Sequence, residues 1–107
     1  MALLTCEYTA LTSLTATGYT NSINVNAQAV TFQVTTRSIR TNVVIRMEGS
    51  LDDTNFFNLD QDELDTTITA NGTRGFALNG CPVEYVRLRL VSFTGGTPTV
   101  ACVVGAL

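Results

Sequence analysis

Residues 85–90 have the sequence Tyr-Val-Arg-Leu-Arg-Leu and give the clearest indication of the fold. Apolar and polar side chains alternate at every position, which is the period of a β-strand with one buried face. The three aliphatic side chains are predicted to face a core, and Tyr85, Arg87 and Arg89 to face outward. Gly95-Gly96 follows and is predicted to end the strand.

The same alternation recurs in residues 30–35, 43–48 and 99–104, so each is predicted to be a strand with one buried face. Between them, residues 49–55 form a cluster of turn-forming residues, and residues 56–59 are predicted to be a short strand. No stretch shows a helical period.

Asn71-Gly72 is the strongest local turn signal in the chain. This dipeptide is favoured in two-residue type I′ hairpins because both positions require a positive φ. Residues 66–70 and 73–78 are therefore predicted to pair as a hairpin.

Near the start of the chain, Leu4, Cys6 and Tyr8 alternate with other residues before a threonine-rich run that ends at Thr20. This pattern predicts an edge strand followed by a loop or arm. Seven or eight short strands with frequent turns predict one antiparallel β-sandwich over residues 1–107, of jelly-roll or related topology.

The composition argues against several functions. The chain has 107 residues, a formal net charge of −3 and only 14% charged residues, so it lacks the basic footprint that nucleic-acid binding requires. It contains no His and no Lys, which removes the commonest general base and amine catalysis. No enzymatic activity is predicted.

The three cysteines, Cys6, Cys81 and Cys102, lack the short spacings of zinc or redox motifs. We interpret them as reduced, small apolar residues. No apolar stretch approaches the ~20 residues of a membrane span, and the first residues do not resemble a signal peptide. A soluble protein made in a cytoplasm is therefore expected.

Acidic residues are concentrated between Asp52 and Asp65. An EF-hand loop that started at Asp60 would need glycine at its sixth position, where Asp65 stands, so a solvated acidic loop is favoured over a calcium site. No metal or cofactor is predicted.

Two segments are candidates for protein interaction. Tyr85, Arg87 and Arg89 share one outward face and are of residue types enriched at interfaces. The alternative is that these arginines only cover the sheet and pair with neighbours such as Glu48 or Glu84. The N-terminal segment, with Leu4 and Tyr8, is the second candidate, since an extended arm can add a strand to a neighbour.

Residues 48–59 (Glu-Gly-Ser-Leu-Asp-Asp-Thr-Asn-Phe-Phe-Asn-Leu) resemble the Gly-Ser-x-Asp-Gly turn, followed by an aromatic residue, of small β-sandwich virion proteins from tailed bacteriophages. Residues 67–73, 82–89 and 95–100 look like the hairpin, penultimate strand and closing strand of such proteins. Asp53 stands where these proteins have glycine. A similar turn also occurs in galactose-binding-like and discoidin-like sandwiches.

Within that group, a small chain with no attached fibre or enzymatic domain is most similar to a head decoration, or cement, protein. The resemblance implies that the protein binds the major capsid protein on the outside of the shell, as a homo-oligomer and most often a trimer, after synthesis in the host bacterial cytoplasm. It implies no nucleic-acid or membrane partner. Another virion component of the tail, neck or fibre base, and a module that binds carbohydrate or a host surface, remain as alternatives.

Overall fold

The computed structural model describes residues 7–60 and 62–106, which form eight β-strands and no helix. The strands are β1 (Glu7–Ala10), β2 (Gly18–Tyr19), β3 (Ile23–Arg37), β4 (Asn42–Ser50), β5 (Phe57–Asn58), β6 (Thr66–Ile68), β7 (Gly72–Thr94) and β8 (Thr99–Ala106). Every pairing between them is antiparallel. Among the described residues, no helix is long and apolar enough to cross a lipid bilayer.

Strand β7 is bent and belongs to two layers. Its 23 residues would extend about 75 Å if straight, yet the longest dimension of the molecule is 48 Å. Both ends of β7 lie beside one turn: Asn71 Oδ1 accepts the Ile39 N–H at 2.9 Å, and Gly96 packs on Arg40. The strand therefore runs out and back as a first arm (residues 72–78) and a second arm (residues 83–94).

The bend coincides with irregular pairing between β3 and β7. The register passes from Ala29↔Asn79 to Ala27↔Val83, so β7 contains two more residues than β3 over this interval. Extra residues of this kind form β-bulges, which bend a strand and increase its twist. Gly80 and Pro82 lie within the interval, and both residue types are typical of bulges.

The two arms of β7 place the strands in two sheets. The first sheet has the order β1, β8, β3 and the first arm, and the second has the order β2, second arm, β4 and β5, with β6 also on β4. This is the strand order of a jelly roll in which β5 and β6 share one strand position beside β4 and the two arms of β7 supply two positions in one continuous strand. The predicted antiparallel β-sandwich is confirmed.

The core lies between the two sheets. The alternating stretches predicted from the sequence all bury the predicted face, and their side chains form one apolar cluster. Phe32 of β3, Ile45 of β4 and Leu88 of β7 are fully buried, and each contributes roughly 1.5–3 kcal/mol of hydrophobic stabilisation. Cys102 of β8 is also buried, which raises the pKa of its thiol to about 12.

Gly49 marks the position where β5 and the loop before it pack closely on the core. A Cβ atom at Gly49 would lie 2.7 Å from Leu59 Cδ2 and 3.0 Å from Val83 Cγ1. Only glycine fits this site without moving its neighbours. The predicted turn is present over residues 51–55, while Gly49 and Ser50 of the predicted range belong to β4. The predicted short strand is present as β5.

The predicted hairpin at Asn71-Gly72 is wrong. Strand β6 pairs with β4, the first arm of β7 pairs with β3, and β6 and β7 do not pair with each other. Gly72 has a φ of 140°, but Asn71 is not among the residues with positive φ. The Asn71 side chain instead accepts a backbone hydrogen bond from Ile39, so long-range pairing has overridden the local turn preference.

Candidate interaction faces

The outer face of the second sheet carries most of the candidate binding residues, and we call it the charged face. Residues Arg46 and Glu48 of β4 stand in register with Arg89 and Arg87 of β7. Tyr19 of β2 is in register with Arg89. The alternation that buries Leu88 places these side chains outward, as predicted for Arg87 and Arg89.

Arg87 is held on three sides. Its Nε atom donates to Glu48 Oε1 at 2.7 Å, and its guanidinium carbon lies 3.9 Å from the Tyr19 ring centroid and 3.7 Å from the Phe56 ring centroid. The Glu48 side chain is 5% exposed and that of Arg87 is 20% exposed. A guanidinium between two rings combines stacking with cation–π attraction, so Arg87 holds Tyr19 of β2 and Phe56, the residue before β5, on the outer face of the second sheet.

Arg46 forms a second ion pair on this face. Its Nε and Nη2 atoms donate to the two carboxylate oxygens of Asp65 at 2.7 and 3.1 Å, which is the bidentate geometry that favours arginine over lysine. The hydrogen bond from Arg46 lowers the pKa of Asp65, and Asp65 in turn raises the pKa of Arg46. Arg46 Nη1 also lies 3.8 Å from Glu48 Oε2.

Arg89 is the least engaged arginine of the charged face. Among the described residues it forms no ion pair within 4 Å, and its guanidinium carbon lies 5.9 Å from the Tyr19 ring centroid. Tyr19 is 54% exposed. Arg89 and Tyr19 together therefore offer a cationic and an aromatic group to a partner without loss of an internal pair.

Backbone and hydroxyl hydrogen bonds position Tyr19. The next residue, Thr20, is buried; its N–H donates to Leu88 O at 2.9 Å, and its hydroxyl oxygen accepts the Leu88 N–H at 3.0 Å. Ser22 then donates to Asp53 Oδ1 at 2.6 Å. The arm after β1 is thereby joined both to the sheet and to the acidic turn.

The acidic turn is organised around Asp52. Its carboxylate accepts the backbone N–H groups of Thr54 and Asn55 at 2.9 and 2.8 Å and a hydrogen bond from the Ser50 hydroxyl at 2.9 Å. These donors, led by the Asn55 and Thr54 backbone, lower the pKa of Asp52. Within residues 7–60 and 62–106, no three potential ligands among Asp, Glu and Cys come together as a metal site.

The outer face of the first sheet is different in character, and we call it the neutral face. The side chains that alternate with the core residues there are small, uncharged or both. They are Tyr8 and Ala10 of β1, Thr31, Gln33 and Thr35 of β3, Thr73 and Ala77 of β7, and Ala101 and Val103 of β8, with Gly75 and Gly105 among them. Arg37 at the end of β3 is the one charged residue in phase with them in the described chain.

Tyr8 projects from the neutral face. Its side chain is 78% exposed on the edge strand, and it borders an open depression of about 480 Å³ whose other walls are Thr31, Gln33, Val103 and Gly105. Tyr8 stands opposite Gly105 in the β1–β8 register. Leu4, the other predicted residue of the N-terminal segment, lies outside the described residues.

The structure separates the predicted interaction residues into two groups. Tyr85, Arg87 and Arg89 lie on the charged face, and Tyr8 lies on the neutral face. For Arg87, the internal pairing with Glu48 that the sequence left as an alternative is present. Their role in binding stays a prediction.

Sequence reasoning did not find the rings that enclose Arg87 or the Asp65 that pairs with Arg46. Tyr19 and Phe56 lie 37 residues apart in the sequence, and only the antiparallel registers of β2 and β4 with β7 bring them together. The signal that was available is the absence of lysine, because arginine is the cation that stacks on rings and pairs bidentately.

Comparison with known proteins gives one informative result. The chain matches no protein-family model and no curated sequence. Its structure is similar to the crystal structure of SPBc2 prophage-derived protein YomS, with a TM-score of 0.65 over 99% of both chains at 15% sequence identity. The two chains share a fold. At this identity the likeness to YomS concerns the fold alone.

Proposed function

We propose that this chain is a non-catalytic structural protein of a bacteriophage virion that binds the outside of the capsid and stabilises the shell. The observation that carries the proposal is the fold shared with YomS, a prophage-derived protein, over 99% of both chains. The turn at residues 48–59 adds the resemblance to small virion sandwiches described above.

The chemistry of the surface supports adhesion rather than reaction. The chain has no His and no Lys, the commonest general base and the usual amine nucleophile, and burial raises the pKa of the Cys102 thiol, which disfavours the reactive thiolate. A cement protein needs rigid, repeated contacts, because many weak attachments on one shell add up to strong retention. A jelly roll with a packed core between two sheets and two exposed outer faces suits that task.

On the charged face, Arg89 and Tyr19 are the groups we assign to the major capsid protein. Arg46 and Arg87 already donate hydrogen bonds to Asp65 and Glu48, respectively. A partner that presents a carboxylate or carbonyl oxygen to Arg89 would complete its hydrogen bonds and cover the exposed ring of Tyr19. Arginine and tyrosine are the residue types that most often dominate the energy of such contacts.

The proposal is tested by adding the purified protein to capsids that lack it and measuring bound protein per shell and the melting temperature of the shell. Saturable binding with a raised melting temperature is the expected result. The proposal would be overturned if the protein did not bind the capsid of its own phage at concentrations at which other capsid-binding proteins saturate their shells. Binding to purified tails instead would move the protein to another part of the virion.

The variant Arg89→Met tests the assigned face, and Arg74→Met is its matched control. Arg74 is exposed on the first arm of β7, away from the charged face. We expect Arg89→Met to weaken capsid binding by about tenfold, as for an arginine near the centre of an interface, and Arg74→Met to leave it unchanged. Equal binding by both variants would exclude Arg89 from the contact while leaving the capsid role intact.

A further inference from the structure

We propose that the neutral face is the contact through which two copies of this chain form a face-to-face dimer with twofold symmetry. The inference does not depend on the capsid role. It rests on three properties of the face: its lack of charge, a projection and a depression that lie side by side, and an area that suits reversible association.

The lack of charge removes the main obstacle to self-association. The chain as a whole carries a net charge of −3, so the long-range electrostatic interaction between two copies is repulsive. Soluble surfaces usually contain about a quarter to a third charged residues, yet the eleven residues of the neutral face include no Asp, Glu or Arg, and the one charged residue in phase with them in the described chain, Arg37, lies at the end of β3. This face is therefore the one where a second copy approaches with the least repulsion and the least desolvation of ions.

Small side chains make the centre of the face suitable for close sheet packing. Thr35 and Thr73 satisfy each other with a hydroxyl–hydroxyl hydrogen bond of 2.9 Å, so their burial would leave no unpaired polar group between them. Ala101 and Gly105 add no polar side-chain atoms. Two sheets pack about 10 Å apart when their side chains interdigitate, and short side chains permit that approach.

A projecting side chain and a depression lie side by side on the neutral face. In a twofold contact the same patch is used by both copies, so any projection must meet a depression on the same face. Tyr8 is the projection, with 78% of its side chain exposed, and the depression of about 480 Å³ between Thr31, Gln33 and Val103 lies next to it. Each Tyr8 ring would enter the depression of the other copy, with its hydroxyl within reach of the Gln33 amide.

The area of the face sets the expected strength. Four strands about 4.8 Å apart and about seven residues long cover roughly 450 Å², about half of the ~800 Å² per partner that a stable complex buries. The dimer should therefore dissociate reversibly, with a Kd in the micromolar range or weaker. On a shell that holds many copies, the local concentration would make such a contact effective.

The test is analytical ultracentrifugation of the full chain over a range of concentrations, with two threonine-to-arginine variants. Thr31→Arg places a charge at the centre of the neutral face, whereas Thr67→Arg places the same charge on the opposite sheet, where Thr67 of β6 is also exposed. We expect the wild-type chain and Thr67→Arg to approach twice the 11.5 kDa chain mass as concentration rises. Thr31→Arg should weaken dimerisation by at least about tenfold, since a charge is then buried without a partner.

A second readout localises the contact and covers the case of a poorly folded variant. Amide chemical shifts of the wild-type protein should change on dilution at residues of β1, β8 and β3 and stay constant at β4. The dimer should also persist at high salt, because no ion pair holds it. A monomer at all concentrations up to about 1 mM, a trimer, or shift changes confined to the charged face would each overturn the inference.

Discussion

Replacement of Arg87 by methionine removes the cation that links β7 to β4, to β2 and to Phe56 before β5. Arg87 contacts the Glu48 carboxylate at 2.7 Å and lies between the rings of Tyr19 and Phe56. Methionine keeps most of the aliphatic stem of the side chain, so the loss is confined to the guanidinium. Glu48, whose side chain is 5% exposed, then lacks its close partner.

The expected cost follows from these contacts. Removal of one member of a buried ion pair costs about 3–5 kcal/mol, but Glu48 keeps Arg46 Nη1 at 3.8 Å, which reduces this cost. Loss of the two ring contacts adds about 0.5–1 kcal/mol each. With Arg46 still beside Glu48 and the Arg87 side chain 20% exposed, the cost of the lost ion pair falls to about 1–2 kcal/mol. Together with the ring contacts, we expect a decrease of about 2–4 kcal/mol in the free energy of unfolding, which corresponds to roughly 10–15 °C in melting temperature for a domain of this size.

Urea denaturation followed by circular dichroism measures this change, with Arg89→Met as the matched control. Arg89 lies two residues along the same strand without an ion pair within 4 Å among the described residues, so its replacement should cost less than about 1 kcal/mol. The double variant Arg87→Met/Glu48→Leu should be at least as stable as Arg87→Met alone, because the unpaired carboxylate is gone. Equal losses of unfolding free energy in Arg87→Met and Arg89→Met would refute the reasoning. A double variant that is less stable than Arg87→Met alone would also refute it.

Three further predictions follow from other parts of the chain. Gly49→Ala should cost about 1–3 kcal/mol of stability, because the new Cβ atom would overlap with Leu59 and Val83. Gly75→Ala should cost much less, because the Cβ position of Gly75 is open. Thermal unfolding of the two variants checks the difference, and equal melting temperatures would contradict it. The pKa values of Asp52 and Asp65 are lowered from 3.8 in the folded protein. The stability that these groups contribute is therefore fully present above their unfolded pKa and is lost as pH falls through their folded pKa values. Urea titrations should show that the free energy of unfolding declines below about pH 4 and declines less steeply in Asp52→Asn; the same pH dependence in that variant would count against the prediction. Burial raises the pKa of Cys102 to about 12, so this thiol should resist alkylation in the native protein and react only as fast as the protein unfolds. Peptide mapping after timed labelling measures the rate, and rapid alkylation of the native protein would contradict the prediction.

Which face of each strand is buried could be predicted from the sequence better than which strands pair with each other. Alternation at residues 85–90 and in the other amphipathic strands follows from burial of one face, a local property of each strand. Gly95 and Gly96, with φ values of 71° and 66°, end β7 as expected, because glycine tolerates the left-handed region. The pairing of β6 with β4 rather than with β7 depends on long-range contacts that no local dipeptide encodes.

The bend in β7 explains a second limit of sequence reasoning. The sequence predicts separate strands at residues 73–78 and 85–90, and hydrogen bonding makes them parts of one strand that passes from the first sheet to the second. Both interpretations bury the same side chains, so the hydrophobic pattern does not distinguish them. For the candidate site, the outward position of Arg87 was predictable from alternation, but the Tyr19 and Phe56 rings around it were not, since they come from distant segments.

The central claim is that this chain binds the exterior of a phage capsid. Cryo-electron microscopy of virions assembled with and without the gene tests it most directly, through a difference map of the shell. We predict density of jelly-roll size on the outer capsid surface that is present only in virions with the gene, with the charged face against the shell. Identical capsid surfaces in both maps, with the protein absent from the head, would contradict the account.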